Sequence, residues 1–185
     1  PLTKLYRSTN GGAAFALVNS TTGALGTQGW YDNCLWVDPT DDNLIVGDDR
    51  IVIGGIDLWR STNGGVSFSQ ITDGYIMTVD PHLDVHAVVA DPDYNGTTRR
   101  RVYVATDGGL HVADDILAAG QNTGWRDLDN GQRSTQFYGA AGMAANNLLV
   151  GGLQYNGTQR LVGVATSSNM VFGGDGGQVQ IDATN

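Results

Sequence analysis

Apolar and polar positions along the chain fall into short β-branched or aromatic runs, each bounded by Gly, Asn, Asp or Pro, the pattern of strands between tight turns. Between Trp30 and Thr72 this predicts strands at Cys34–Val37, Leu44–Val46 with Ile51–Ile53, Asp57–Ser61 and Ser67–Ile71, with turns at Asp38–Asn43 and Thr62–Gly65. The same order recurs as His86–Ala90, Val102–Ala105, Leu110–Ala113 and Trp125–Leu128. It recurs again as Phe137–Gly139, Leu148–Val150, Thr158–Val162 and Val171–Phe172, and Gln178–Ile181 opens a further unit. A single helical turn is expected, in the loop at Ile116–Ala119.

Self-comparison explains the recurrence. Leu5-Tyr6-Arg7-Ser8-Thr9-Asn10-Gly11-Gly12-Ala13-Ala14-Phe15 returns as Leu58-Trp59-Arg60-Ser61-Thr62-Asn63-Gly64-Gly65-Val66-Ser67-Phe68, a lag of 53 residues. Asp38-Pro39 and Asp91-Pro92 share that lag, so two separate motifs define one repeat. Four short antiparallel strands in each roughly 50-residue unit is the pattern of a propeller blade. The expected fold is therefore all-β, one partial β-propeller over residues 1–185 with about 3.5 four-stranded antiparallel blades that end near residues 28, 74, 130 and 174. Closed propellers use roughly 4–8 blades, so the remaining blades are expected from the same polypeptide or from further copies, as a homo-oligomer or a fibre. The first residue is Pro1 rather than Met, which reads as a processed or partial segment.

Composition narrows the partners. All 19 acidic residues are Asp, Lys4 is the sole lysine and Gly stands at 27; Asp and Gly favour turns, whereas surface helices draw on Glu and Lys. Helical bundles are excluded on that ground. The net charge of −9 disfavours nucleic acid, whose phosphates demand Lys and Arg surfaces; the run Arg99-Arg100-Arg101 is expected to decorate a hairpin loop. A hydrophobic fraction of 41% suffices for a packed core, and no stretch reaches the length of a membrane span. Cys34 stands alone and reads as a small buried hydrophobe rather than a nucleophile. Asn19, Asn95 and Asn156 open N-x-Ser/Thr tripeptides, sites of possible glycosylation.

The repeated segment resembles the Asp-box, the S-x-D-x-G-x-x-W/F hairpin of sialidases and other BNR-repeat propellers. Ser8, Asn10, Gly12 and Phe15, and their copies Ser61, Asn63, Gly65 and Phe68, hold its positions, with Asn where the family has Asp. A side-chain oxygen there caps the turn's own amides and Gly takes the positive-φ position, so the resemblance implies a structural element without catalysis. From Gly29 onward the chain resembles large secreted bacterial propeller proteins, distantly similar to sortilin-type propellers and often labelled glycosyl hydrolase. The segments that carry this are Gly29-Trp30-Tyr31-Asp32, His82-Leu83-Asp84-Val85-His86, Thr106-Asp107-Gly108-Gly109, Gln136-Phe137-Tyr138, Gly152-Leu153-Gln154-Tyr155-Asn156-Gly157-Thr158 and Gly173-Gly174-Asp175-Gly176-Gly177. Tyr155 stands where the family has Asp, and Thr106 where it has Asn. The resemblance implies a secreted, extracellular protein.

Two groups carry candidate chemistry. In an extended strand His82, Asp84 and His86 share a face; they either hold a divalent metal such as Zn²⁺, the only cofactor the sequence admits, or hydrogen-bond neighbouring blades. Asp107, Asp175 and Gln154 sit in Gly-rich turns that face one mouth of a propeller channel, where ligands bind. With Trp30, Tyr31, Asp32 and Tyr155 they form the expected ligand-binding set, suited to a glycan or a peptide. Glycoside hydrolysis needs two carboxylates; without Glu any pair is Asp–Asp, and no catalytic residue is assigned. The expected role is a non-catalytic extracellular scaffold for binding, adhesion or assembly, with a glycoside hydrolase of sialidase or glucanase type and a fibre subunit as the alternatives.

Overall fold

A computed structural model of the chain describes residues 3–20, 23–40, 49–75, 79–130, 135–163 and 168–182. The described residues contain fourteen strands, no α-helix and one turn of 3-10 helix at Ala144–Asn146; none of the helical structure is long and apolar enough to cross a membrane. The chain divides into two compact units, Pro1–Gln132 and Arg133–Asn185.

The first unit carries three antiparallel sheets. Strands β1 (Leu5–Arg7) and β2 (Ala16–Asn19) form a two-stranded sheet. Strands β3 (Cys34–Val37), β4 (Ile51–Gly54), β5 (Leu58–Ser61) and β6 (Ser69–Gln70) form a four-stranded meander in sequence order. Strands β7 (Val85–Ala90), β8 (Val102–Thr106), β9 (Gly109–Ala113) and β10 (Trp125–Asp127) form a second one. The second unit holds a third meander, β11 (Phe137–Met143), β12 (Leu148–Leu153), β13 (Gly157–Val162) and β14 (Asn169–Phe172). Short runs with period-2 alternation, separated by Gly- and Asn-rich turns, leave each strand its sequence neighbour as nearest partner, which makes a meander.

Packing in the first unit is built around β4, whose four residues are all buried. A strand buried throughout must be covered on both faces. Ile51 and Ile53 join a cluster with Ala24, Leu5, Leu25, Trp59 and Phe68. Val52, one residue out of phase, joins Trp36, Leu58 and Ile71 against Val85, Val102, Val104 and Trp125 of the next sheet. Successive sheets therefore stack face to face, and β7 lies against β3 and β4. Polar contacts tie the layers: Arg60 donates to the carbonyls of Ile116 (2.6 Å) and Ala119 (2.7 Å), Trp125 Nε1 to Ile71 O (3.2 Å), and the Tyr94 hydroxyl to Asp38 Oδ2 (2.8 Å).

One expectation about an element changes, and one element was not foreseen. Gln178–Ile181 is not a strand: it has no ladder partner among the described residues, and the side-chain Nε2 of Gln178 donates to Tyr138 O at 2.6 Å. The 3-10 turn at Ala144–Asn146 was not expected; it closes the β11–β12 connection, with Asn147 in the left-handed region at φ 47°. The turn expected at Ile116–Ala119 is held by the amides of Ala118 and Ala119 on Asp115 O. The predicted strand Leu44–Val46 lies outside the described residues.

The two copies of the repeated segment close in the same way. Ser8 Oγ accepts from Gly12 N (2.8 Å) and Asn10 Oδ1 from Ala14 N (2.9 Å); Ser61 Oγ accepts from Gly65 N (2.9 Å) and Asn63 Oδ1 from Ser67 N (3.0 Å). Gly12 and Gly65 take φ of 89° and 86°, values that a side chain disfavours. The second turn packs beneath the first sheet, where Asn19 Nδ2 donates to Val66 O at 2.8 Å.

Candidate functional site

Three segments of the first unit meet at one end of the β3 and β7 strands: Gln28–Asp32 leading into β3, His82–Asp84 leading into β7, and the β8–β9 turn at Asp107. The backbone sets this meeting. Asp84 N and Val85 N donate to Ile56 O (3.1 Å) and Gly55 O (2.8 Å) of the β4–β5 turn, and Asp107 N donates to Asp84 O (3.2 Å). Gly55 is required where it stands, since a Cβ there would lie 2.3 Å from Ala24 O. The amides of Tyr31 and Asp32 both donate to Gln28 O, at 2.7 and 3.1 Å, a turn that points the two side chains in different directions.

In the outer layer Trp30, Tyr31 and His86 are exposed, and the Asp107 side chain is 13% exposed. The Tyr31 hydroxyl donates to both oxygens of Asp107 at 3.0 Å, and His86 Nε2 lies 2.6 Å from Asp107 Oδ1. The Tyr31 ring meets the His86 ring edge-on at 5.1 Å and the Trp30 ring at 5.6 Å with a 46° tilt. Trp30 is 84% exposed, an unusual state for so large an apolar surface. The hydrogen bond to Asp107 is the main reason the Tyr31 phenol is pushed above its ordinary range, so it stays a donor at physiological pH.

The inner layer is buried. Asp32 and Asp84 are 0% and 3% exposed. Gln28 Nε2 donates to Asp84 Oδ1 at 2.7 Å, whereas neither carboxyl oxygen of Asp32 has a donor. Burial pushes the Asp32 carboxyl up to about 6; the nearby dipole of its own backbone amide acts against the rise, and the neighbouring Asp84 adds to it. Asp32 therefore lies beneath the surface that Trp30, Tyr31, His86 and Asp107 present, rather than lining it as expected.

The His82, Asp84, His86 arrangement is not formed. It presupposed extended backbone through all three, but β7 begins at Val85 and Asp84 has φ 64°, which breaks the alternation of faces. His82 Nδ1 instead lies 3.1 Å from Leu83 O, and its ring lines a cavity of about 350 Å³ with Val79, His111, Trp125 and Asp127. Among the described residues no group of three or more His, Cys, Asp or Glu side chains is arranged to hold a metal ion. His111, which the sequence did not single out, is buried there with Nδ1 unpartnered, and burial lowers its pKa.

In the second unit, Gln154 and Tyr155 form the β12–β13 turn, with Gln154 N on Gln136 O (2.9 Å) and Tyr155 at φ 58°. Asp175 is not in a hairpin turn of that kind; it follows β14 and its Oδ1 accepts from Tyr155 N at 2.8 Å. Asn95 and Asn156 are exposed, but Asn19 is 8% exposed with its amide on Val66 O, so this fold has no room for a glycan at Asn19. Cys34 is half-buried and burial raises its thiol pKa, the opposite of an activated nucleophile. Gln28 was also missed, since a polar residue in a Gly-rich turn carries no distinctive signal. Comparison of the chain with protein families, with curated proteins and with solved structures gives no match.

Proposed function

We propose that this chain is part of an extracellular β-propeller that binds glycan at the Trp30–Tyr31–His86–Asp107 surface without cleaving it. The observation that carries this reading is the Trp30 ring, 84% exposed and set at the edge of a hydrogen-bonded Tyr31–Asp107–His86 group. A flat apolar face beside fixed polar groups matches a sugar, which offers an apolar C–H face and a rim of hydroxyls. The face-to-face stacking of successive four-stranded meanders in the first unit supports the propeller. Burial of Asp32 and Asp84 supports a non-catalytic role, because a glycosidase pair must flank the scissile bond and only Asp107 of the three carboxyls reaches the surface.

A glycan array probed with the full chain tests this. Binding should fall at least about tenfold in Trp30→Ala and in Asp107→Asn, a loss of about 1.4 kcal/mol. An array without hits, or hits indifferent to both substitutions, removes the glycan reading; released reducing ends from the bound oligosaccharide remove its non-catalytic part.

A further inference from the structure

The carboxyl groups of Asp32 and Asp84 are neighbours in the inner layer, and neither oxygen of Asp32 has a donor. Asp84 receives Gln28 Nε2, and Asp32 receives nothing although it is fully buried. A bare carboxylate in such a place is far costlier than a neutral acid, and adjacent buried carboxyls relieve this by sharing a proton. We infer that Asp32 is a protonated acid donating its hydrogen bond to Asp84, and that this pair is a positioning element that sets the Tyr31–Asp107–His86 surface according to pH.

The geometry supplies the coupling. Asp32 comes directly after Tyr31, and both amides hang on Gln28 O, the same residue whose side chain holds Asp84. Asp84 in turn carries Asp107 through its carbonyl. Loss of the shared proton puts two negative charges in contact and presses on both routes to the surface. The groups that act on Asp32 are Asp84 ahead of β7, His86 on β7, Tyr31 in the outer layer and Cys34 on β3, and Asp107 reaches it only through Tyr31 and His86. Asp84 favours the proton on Asp32, and His86, when charged, opposes it. Because the folded chain holds this proton more tightly than the unfolded one, the pair's stabilisation is full below the ordinary Asp range and is lost as pH rises through about 6.

The inference rests on the glycan reading only for its functional meaning, so its test uses no ligand. Infrared difference titration of the full chain should show a protonated-carboxyl band that disappears with a midpoint near 6 and is absent in Asp32→Asn. The Tyr31 ring resonances, assigned with Tyr31→Phe, should move over the same pH range in the unsubstituted protein and lose that movement in Asp32→Asn. Absence of the band overturns the shared proton, and Tyr31 movement that persists in Asp32→Asn assigns the effect to His86 and overturns the positioning role. A rise in melting temperature with calcium at neutral pH, lost in Asp32→Asn, would replace the proton by a cation. Should Asp32→Asn fail to fold, Asp84→Asn serves for the resonance test and the infrared titration of the unsubstituted protein decides the proton.

Discussion

Asp38 and Asp91 each stand one residue past the first strand of a four-stranded meander, and each carboxylate organises the turn after that strand by accepting the amide two residues on, from Thr40 and Asp93 respectively (both 2.9 Å). Asp38 is buried, and it also accepts from Thr40 Oγ1 (2.7 Å), Arg50 Nη1 (3.0 Å) and the Tyr94 hydroxyl (2.8 Å). Burial by itself would raise its pKa, but those donors outweigh it and hold the carboxyl below the usual range. Its stabilisation is therefore present above about pH 4 and is lost as pH falls through the lowered value, the opposite sign to Asp32. Asp38→Ala should cost about 2 kcal/mol at pH 7 by urea denaturation, because Tyr94 loses its buried partner and Arg50 its counter-charge, and the deficit should shrink in acid. Asn63→Ala should cost about 1 kcal/mol, the worth of the Ser67 amide bond. The repeated turn was legible from its residues, since side-chain capping is local; the four donors on Asp38 were not, since Tyr94 arrives from the next sheet.

Along β3 the burial alternates. Trp36 is 8% exposed in the main core, whereas Leu35 and Val37 are 55% and 45% exposed. Trp36→Ala is expected to cost about 3–5 kcal/mol and Leu35→Ala under about 1 kcal/mol, measured as a pair by chemical denaturation. Equal losses would mean that the opposite face is covered as well. Strand identity in the central sheets was readable from the alternating pattern, as Cys34–Val37 shows with the bounds expected of it. The run His82–His86 was misread because period 2 assumes extended backbone, and nothing local marks the left-handed turn at Asp84. That turn is imposed by pairing with Ile56 and Gly55, residues roughly thirty positions away in the chain.

For the whole molecule, the first unit shows how sheets cover one another, and its smallest sheet shows where cover is incomplete. By the repeat, β1–β2 corresponds to β5–β6, yet β5 also pairs with β4 while β1 pairs only with β2 among the described residues. A strand with one edge unsatisfied is a site for another strand. The propeller reading therefore expects this chain to associate or to be completed by further sheets, and light scattering that shows a concentration-independent monomer would count against it. The arginine run does not offset the acidic surface: Arg99 pairs with Asp93, Arg100 with Asp115, and Arg101 with Asp114. No retention of duplex DNA is expected in a mobility-shift assay at low salt.

Local chemistry reached as far as the strands, the turns and the absence of helices, because alternation, Gly and Asn placement and side-chain capping act over a few residues. It also reached the membership of the surface cluster in part, through Trp30, Tyr31 and Asp107. What it could not reach was the partition of that cluster into an exposed layer and a buried acid pair. Asp32 and Asp107 look alike in sequence, each an Asp in a Gly-rich neighbourhood, and their difference in burial arises only when the segments ahead of β3 and β7 and the β8–β9 turn meet. Burial and charge pairing are properties of segments brought together from distant parts of the chain, so they are settled by packing rather than by any run of residues.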